Sequence, residues 1–195
     1  MKKKRRGFFF RFNFFLTILL FSQNCNLLLH ANANIPLDAK AAVLIEFTTG
    51  KILFEKDSDL KIYPASMTKM MTALVALDYL TTDQIFIVGD EIFALAGNLM
   101  RAGHQVGESV CVMTLLNLLL IRSGNETACV LALNTAKAAA GKNMAYQEAE
   151  KIFCRLMNEK ARKIGAVNTN FTNPHGGHND EHYSTAYDIS LISRA

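Results

Sequence analysis

No excess of basic charge remains once the first 33 residues are set aside. The sequence has 21 Lys and Arg residues, but Lys2, Lys3, Lys4, Arg5, Arg6 and Arg11 all precede residue 34 and no acid does. Removing these six leaves 15 basic against 17 acidic residues, a balance near −2. That balance gives no electrostatic footprint for nucleic acid. Cysteine is scarce too. Only Cys111, Cys129 and Cys154 lie beyond Cys25, an odd number that argues against a disulfide framework. Each sits in an apolar, near-helical context, as a small buried hydrophobe does, and no thiol mechanism is expected. There is no internal repeat and no low-complexity linker.

An uninterrupted apolar run long enough to span a membrane, about 18 residues, is also lacking. Arg11, Asn13, Gln23, Asn24 and Asn26 break the N-terminal candidate. What residues 1–33 do carry is the layout of a secretory leader. A cationic start, "KKKRR", is followed by the apolar "FNFFLTILLF" and by "ANA" at 31–33 as a small-residue cleavage site. Export with cleavage is expected, leaving 34–195 as the mature chain. Cys25 follows Ser-Gln-Asn, which is not the context of a lipid-attachment cysteine.

Half of the 195 residues are hydrophobic, so one domain with a genuine core is expected. "AAVLIEF" and "KILFEKD" flank "TTG" at 48–50 and read as a β-hairpin. From Ser66 to Leu80, Met67, Met70, Met71, Leu74 and Leu77 recur at helical spacing. With Ala73, Val75 and Ala76 added, this helix is apolar nearly all round and should be the buried centre of the domain. Further helices are expected over 112–121, from Glu126 onward after a turn at Gly124, from about Asn143 to Ile164 with Gly165 as its stop, and after "STAYD".

Ser66 and Lys69 open the central helix. A Ser-x-x-Lys spacing arises by chance about once in a few hundred residues, and Ser58 with Lys61 supplies a decoy in the polar turn "DSDLK". Context separates them. Ser66 sits at a helix start, where free N–H groups and the dipole stabilise negative charge. Lys69 follows one turn later on the same face. A lysine among methionines and alanines is poorly solvated, which disfavours the ammonium and makes a usable base. The bland alternatives are a helix cap for Ser66 and a snorkelling surface lysine for Lys69. The second element is "SGN" at 123–125, which puts a hydroxyl and a carboxamide on a tight turn between helices. Ser123 is placed to relay a proton to a leaving amine, and Asn125 to hold Lys69 and a substrate amide carbonyl.

"PASMTKMMTALVAL" and "LLIRSGNETACVLAL" resemble the first two active-site motifs of the penicillin-binding proteins. Together with "AAVLIEFTTGKILFEKD", "LMNEKARKIGAVNTNFTNPHGG" and "HYSTAYDISLI", they are similar to the D-alanyl-D-alanine carboxypeptidases of low molecular mass. The resemblance covers nearly all of 38–195. It implies an α/β (α+β) fold of the β-lactamase/transpeptidase type, with a helical subdomain beside an antiparallel sheet. It also implies an exported serine peptidase of the periplasm or cell envelope, without a cofactor. Ser66 would attack the penultimate D-alanine carbonyl of a peptidoglycan stem peptide ending in D-Ala-D-Ala, release the terminal D-alanine and leave an acyl-enzyme that water hydrolyses. β-Lactams would acylate the same serine.

The family's third motif, Lys-Thr-Gly, has no counterpart: neither "TTGK" at 48–51 nor "AGKN" at 140–143 supplies it. In the family that strand binds the substrate carboxylate and gives one of two oxyanion N–H groups, the other being that of Ser66. The later strands and the amphipathic helix by which many members attach to the membrane are not in the sequence either. The expectation is therefore a partial catalytic domain over 34–195, with an incomplete sheet, a marginal hairpin and activity lowered or lost. Other readings remain at this point. One is a non-catalytic remnant that binds cell-wall peptides. Another is a metal-dependent hydrolase using His175, His178 and His182 with Asp180 and Glu181, against which the adjoining glycines favour turn roles for the histidines. A class A β-lactamase would need a loop glutamate that has no match here.

Overall fold

A computed structural model describes residues 36–95 and 99–195. The leader-like segment 1–33 lies outside the described residues. The chain divides into two units, 1–38 and 39–195, and every element described below belongs to the second.

Strands β1 (Ala42–Ile45) and β2 (Ile52–Lys56) pair antiparallel, with Val43 opposite Glu55 and a register shift between Leu44 and Ile45. The turn is built by Glu46. Its carboxylate accepts the Thr48 and Thr49 N–H groups at 2.9 and 2.6 Å and the Thr49 hydroxyl at 2.6 Å, which holds that carboxyl down at about 2. The hairpin is not isolated, as its marginal stability alone would suggest. The Arg194 guanidinium at the far end of the chain donates to the Phe47 and Thr48 carbonyls at 2.6 and 2.8 Å.

A 3-10 turn over Ala65–Met67 runs into α1 (Thr68–Tyr79). β3 (Ile85–Ile87) and β4 (Ser109–Cys111) form a second antiparallel pair. Strands of three residues are too short to leave an alternating pattern in the sequence, and neither was expected from it. Next come α2 (Val112–Ile121), α3 (Asn125–Ala140), α4 (Tyr146–Lys163) and α5 (Ala186–Arg194). α4 begins at Tyr146, three residues after the expected Asn143. Thr185 caps α5, its hydroxyl accepting the Asp188 N–H at 3.0 Å.

α1 is central, but its buried stripe is not the one its longest side chains mark. Met67 and Leu77 are exposed, and Met70 and Leu74 only half buried. Met71 and Val75 instead pack with Phe153, Met157, Phe171 and Ile192, while Ala73, Ala76 and Leu80 pack with Leu115, Leu119, Ala128 and Leu131. Small side chains at 72, 73 and 76 let neighbouring helices approach closely, and the unbranched methionines fill the margin. α3 is buried along nearly its whole first half, which fixes its N-terminal turn against the start of α1. No described helix is long and apolar enough to cross a membrane.

Candidate active site

Pro64 precedes the 3-10 turn, and Ala65 takes a left-handed conformation, φ 47°. A non-glycine residue is held there only when its surroundings over-determine it, at about 1–3 kcal/mol. The Ala65 carbonyl comes to lie against Gly176, whose φ is 86°. A Cβ on Gly176 would collide with the carbonyl of Ala65. The kink leaves Ser66 exposed at the mouth of α1, while Lys69, one turn on, is buried with 2% of its surface accessible. Ser66 caps nothing, since no side chain caps either the turn or the helix.

Lys69 Nζ lies 3.3 Å from Ser66 Oγ, 3.0 Å from Asn125 Oδ1 and 2.7 Å from the His175 carbonyl oxygen. Burial pulls the ammonium down from its ordinary 10.5 to about 8, against smaller opposing contributions from Cys129 and Glu126. Ser123 closes the group, its hydroxyl donating to Ser66 Oγ at 3.0 Å. It too is held left-handed, φ 57°, in the break between α2 and α3. The fold thus brings together the four side chains that the sequence singled out, Ser66, Lys69, Ser123 and Asn125.

Gly124 makes that break possible. A Cβ there would sit 2.5 Å from Thr127 Oγ1 and 2.8 Å from the Ala102 methyl. Asn125 is fixed from the other side: its Nδ2 donates to the Met100 carbonyl at 2.6 Å, and its backbone N–H donates to the same oxygen at 3.0 Å. Its amide oxygen must therefore face Lys69.

The loop from Thr172 to Gly177 supplies the third ligand of Lys69. Asn173 Oδ1 accepts the N–H groups of His175, Gly176 and Gly177 at 3.2, 2.7 and 3.1 Å, an Asx-type turn that aims the His175 carbonyl at α1. Thr72 Oγ1 donates to the Pro174 carbonyl at 2.5 Å. His182 Nδ1 accepts the Thr172 N–H at 3.1 Å, so its proton sits on Nε2, which faces Thr68 Oγ1 at 2.8 Å. These loop residues carry backbone roles. "NPHGG" signals a turn, but nothing in the letters says that its carbonyl meets Lys69.

The three histidines do not converge. His175 Nδ1 accepts the Gly177 N–H at 2.9 Å, His182 is spent between Thr68 and Thr172, and exposed His178 stands 3.5 Å from Asp180 with its ring edge-on to Tyr63. Among the described residues no group of three or more His, Cys, Asp or Glu is arranged to hold a metal ion. The decoy pair is also resolved. Ser58 donates to Glu55 at 2.8 Å, and Lys61 Nζ lies 4.0 Å over the Tyr183 ring. Cys111, Cys129 and Cys154 are free, and burial pushes the Cys129 and Cys154 thiols up to about 12.

Residues 29–195 match the family profile described as D-alanyl-D-alanine carboxypeptidase. The D-alanyl-D-alanine carboxypeptidase DacF of Bacillus subtilis is 35% identical over 161 residues, covering 80% of this chain and 38% of its own length. DacC of Escherichia coli is 33% identical over 167 residues, covering 81% and 39%. The chain thus spans less than half the length of these curated relatives. Among solved structures, the Francisella tularensis D-alanyl-D-alanine carboxypeptidase DacD superposes with a TM-score of 0.70 at 34% identity, over 83% of this chain and 37% of that one. The Streptomyces DD-transpeptidase gives 0.73 at 29%, over 80% and 59%. The fold is accordingly transpeptidase-like, a helical region with small antiparallel sheets covering part of those structures. A match over most of the sequence establishes that the chain belongs to the D-alanyl-D-alanine carboxypeptidase family.

Proposed function

We propose that Ser66 is the nucleophile of a serine-type D-alanyl-D-alanine carboxypeptidase, that Lys69 is its base, that Ser123 relays the proton and that Asn125 binds both Lys69 and substrate. The observation that carries this is the coordination of Lys69 Nζ. Two of its three neighbours, Asn125 Oδ1 and the His175 carbonyl, can only accept. In a neutral amine they take both N–H groups. The lone pair is then left for the third neighbour, the Ser66 hydroxyl. Burial lowers the pKa to about 8, so that a minor fraction of the amine is neutral near pH 7 and most of it above pH 8.

As Ser66 Oγ bonds to the penultimate D-alanine carbonyl carbon, its proton passes to Lys69. The C–N bond to the terminal D-alanine then breaks. Ser123, which lies against the same oxygen as Lys69, gives its proton to the leaving amine and takes in its place the proton that Lys69 received. Water then attacks the Ser66 ester with neutral Lys69 taking its proton, and that proton returns to Ser66 Oγ as the acid leaves. β-Lactams, whose strained amide opens by the same attack, acylate the same oxygen and serve as covalent probes. The substrate is the peptidoglycan stem peptide. The leader-like residues 1–33 support cleavage and export to the periplasm or cell envelope, where that polymer lies.

The test is labelling of the chain by a fluorescent penicillin, with the adduct located by mass spectrometry. The expected result is one adduct on Ser66, absent from Ser66→Ala. No adduct on a chain that unfolds cooperatively, or an adduct elsewhere, overturns the assignment.

A further inference from the structure

The amide of Asn125 is oriented by a carbonyl that comes from outside the helix, that of Met100. What keeps Met100 there is the first turn of α3. Three successive side chains of that turn each bind the segment 100–104. Asn125 takes Met100, Glu126 Oε1 accepts the Gly103 N–H at 2.7 Å, and Thr127 Oγ1 lies 3.1 Å from His104 Nε2. His104 is tied in turn by Nδ1 to Glu108 Oε2 at 2.9 Å. Of the three, Glu126 is the anomaly. It is 1% exposed, and its Oε2 has no hydrogen-bond partner among the described residues. A carboxylate left so deeply buried is expensive to keep, and a plain clamp could be built from a neutral side chain.

We propose that Glu126 is the positioning residue of the Lys69–Asn125 pair. Its carboxylate holds Gly103 so that the Met100 carbonyl locks the Asn125 amide with Oδ1 toward Lys69. Its charge also favours the Lys69 ammonium, a smaller effect than burial. The inference rests on the reading that Lys69 serves Ser66. The titratable groups facing Lys69 are Glu126 and Cys129 from α3 and His175 from the loop. Of these, Glu126 alone is both a carboxylate and a clamp on the Asn125 support.

Reach and charge separate by substitution. Glu126→Gln keeps the acceptor for the Gly103 N–H and loses the charge. Glu126→Asp keeps the charge but, one methylene shorter, withdraws the acceptor. Glu126→Ala loses both. The measurements on the full chain are the rate of acylation by fluorescent penicillin from pH 6 to 10, and the titration of Lys69 followed by NMR of 13Cε-labelled lysine, assigned with Lys69→Arg. Expected for Glu126→Gln is a plateau rate within about threefold of the unaltered chain and a Lys69 midpoint moved to lower pH, since a stabilising negative charge is gone. Expected for Glu126→Asp and Glu126→Ala is a loss of about 10- to 100-fold at every pH.

Should Glu126→Ala not fold, Glu126→Asp carries the same prediction. An Asp variant as fast as the unaltered chain overturns the proposal, as does a Gln variant slowed at every pH with an unmoved Lys69 midpoint. If the unaltered chain takes no label at all, the function proposed above fails. The Lys69 titration still decides the role of Glu126: a midpoint identical in all variants refutes it, and one that moves in Glu126→Gln upholds it.

Discussion

At the residue scale the deciding feature is that a buried lysine is held by two carbonyl-type oxygens and one hydroxyl. Replacing Asn125 by Ala frees one N–H of Lys69 to turn toward Ser66, so that the lone pair no longer faces the nucleophile. A fall of about 10²-fold in acylation rate is expected, read by labelling time courses on folded protein. Ser58→Ala, at the decoy motif, leaves labelling unchanged, because Ser58 is engaged with Glu55. This much was legible in the sequence, since helical spacing puts Ser66 and Lys69 on one face and a polar residue in an apolar setting announces itself. The left-handed Ala65 and the carbonyls of His175 and Met100 were not legible. Backbone atoms carry no letter, and alanine at positive φ breaks the rule by which sequence signals such a turn.

At the scale of elements, α1 and the loop 172–177 behave as one piece. Thr68, Lys69 and Thr72 each bind the loop or its His182 anchor. Gly176→Ala would drive a methyl into the Ala65 carbonyl and should both destabilise the domain and slow acylation, measured by thermal unfolding and labelling in parallel. His182 makes the piece sensitive to acid. Burial holds its pKa at about 4, below the ordinary 6.5. Between these values the unfolded chain binds a proton that the folded chain does not, so stability falls as pH drops from about 6.5 to about 4, by on the order of 3 kcal/mol at most. His175 contributes in the same direction. Denaturant unfolding at pH 7 and pH 4.5 checks this: the difference between the two pH values should shrink in His182→Gln. The helices were readable because their apolar positions recur. An apolar pattern nearly all round α1 does not say which positions stay at the surface: Met67 and Leu77 are exposed, because close packing of helices favours the alanines beside them.

At the scale of the whole molecule, the two clusters that grip α1 from either side set the distance between Ser66 on one helix and Asn125 on another. Phe153, fully buried in one of them, is the side chain whose loss should be felt farthest. Phe153→Ala is expected to cost about 3–5 kcal/mol, read by chemical denaturation. Family membership and the helical region followed from long matching blocks of sequence, while the short β3–β4 pair and the fastening of the hairpin by Arg194 needed coordinates, because both depend on partners distant in the chain. The central claim is that burial makes Lys69 the base for Ser66, and its most direct test is the pH dependence of acylation by fluorescent penicillin. The rate should rise with pH and level off, with a midpoint near about 8. A rate that is flat from pH 6 to 10, or that falls through this range, would contradict it.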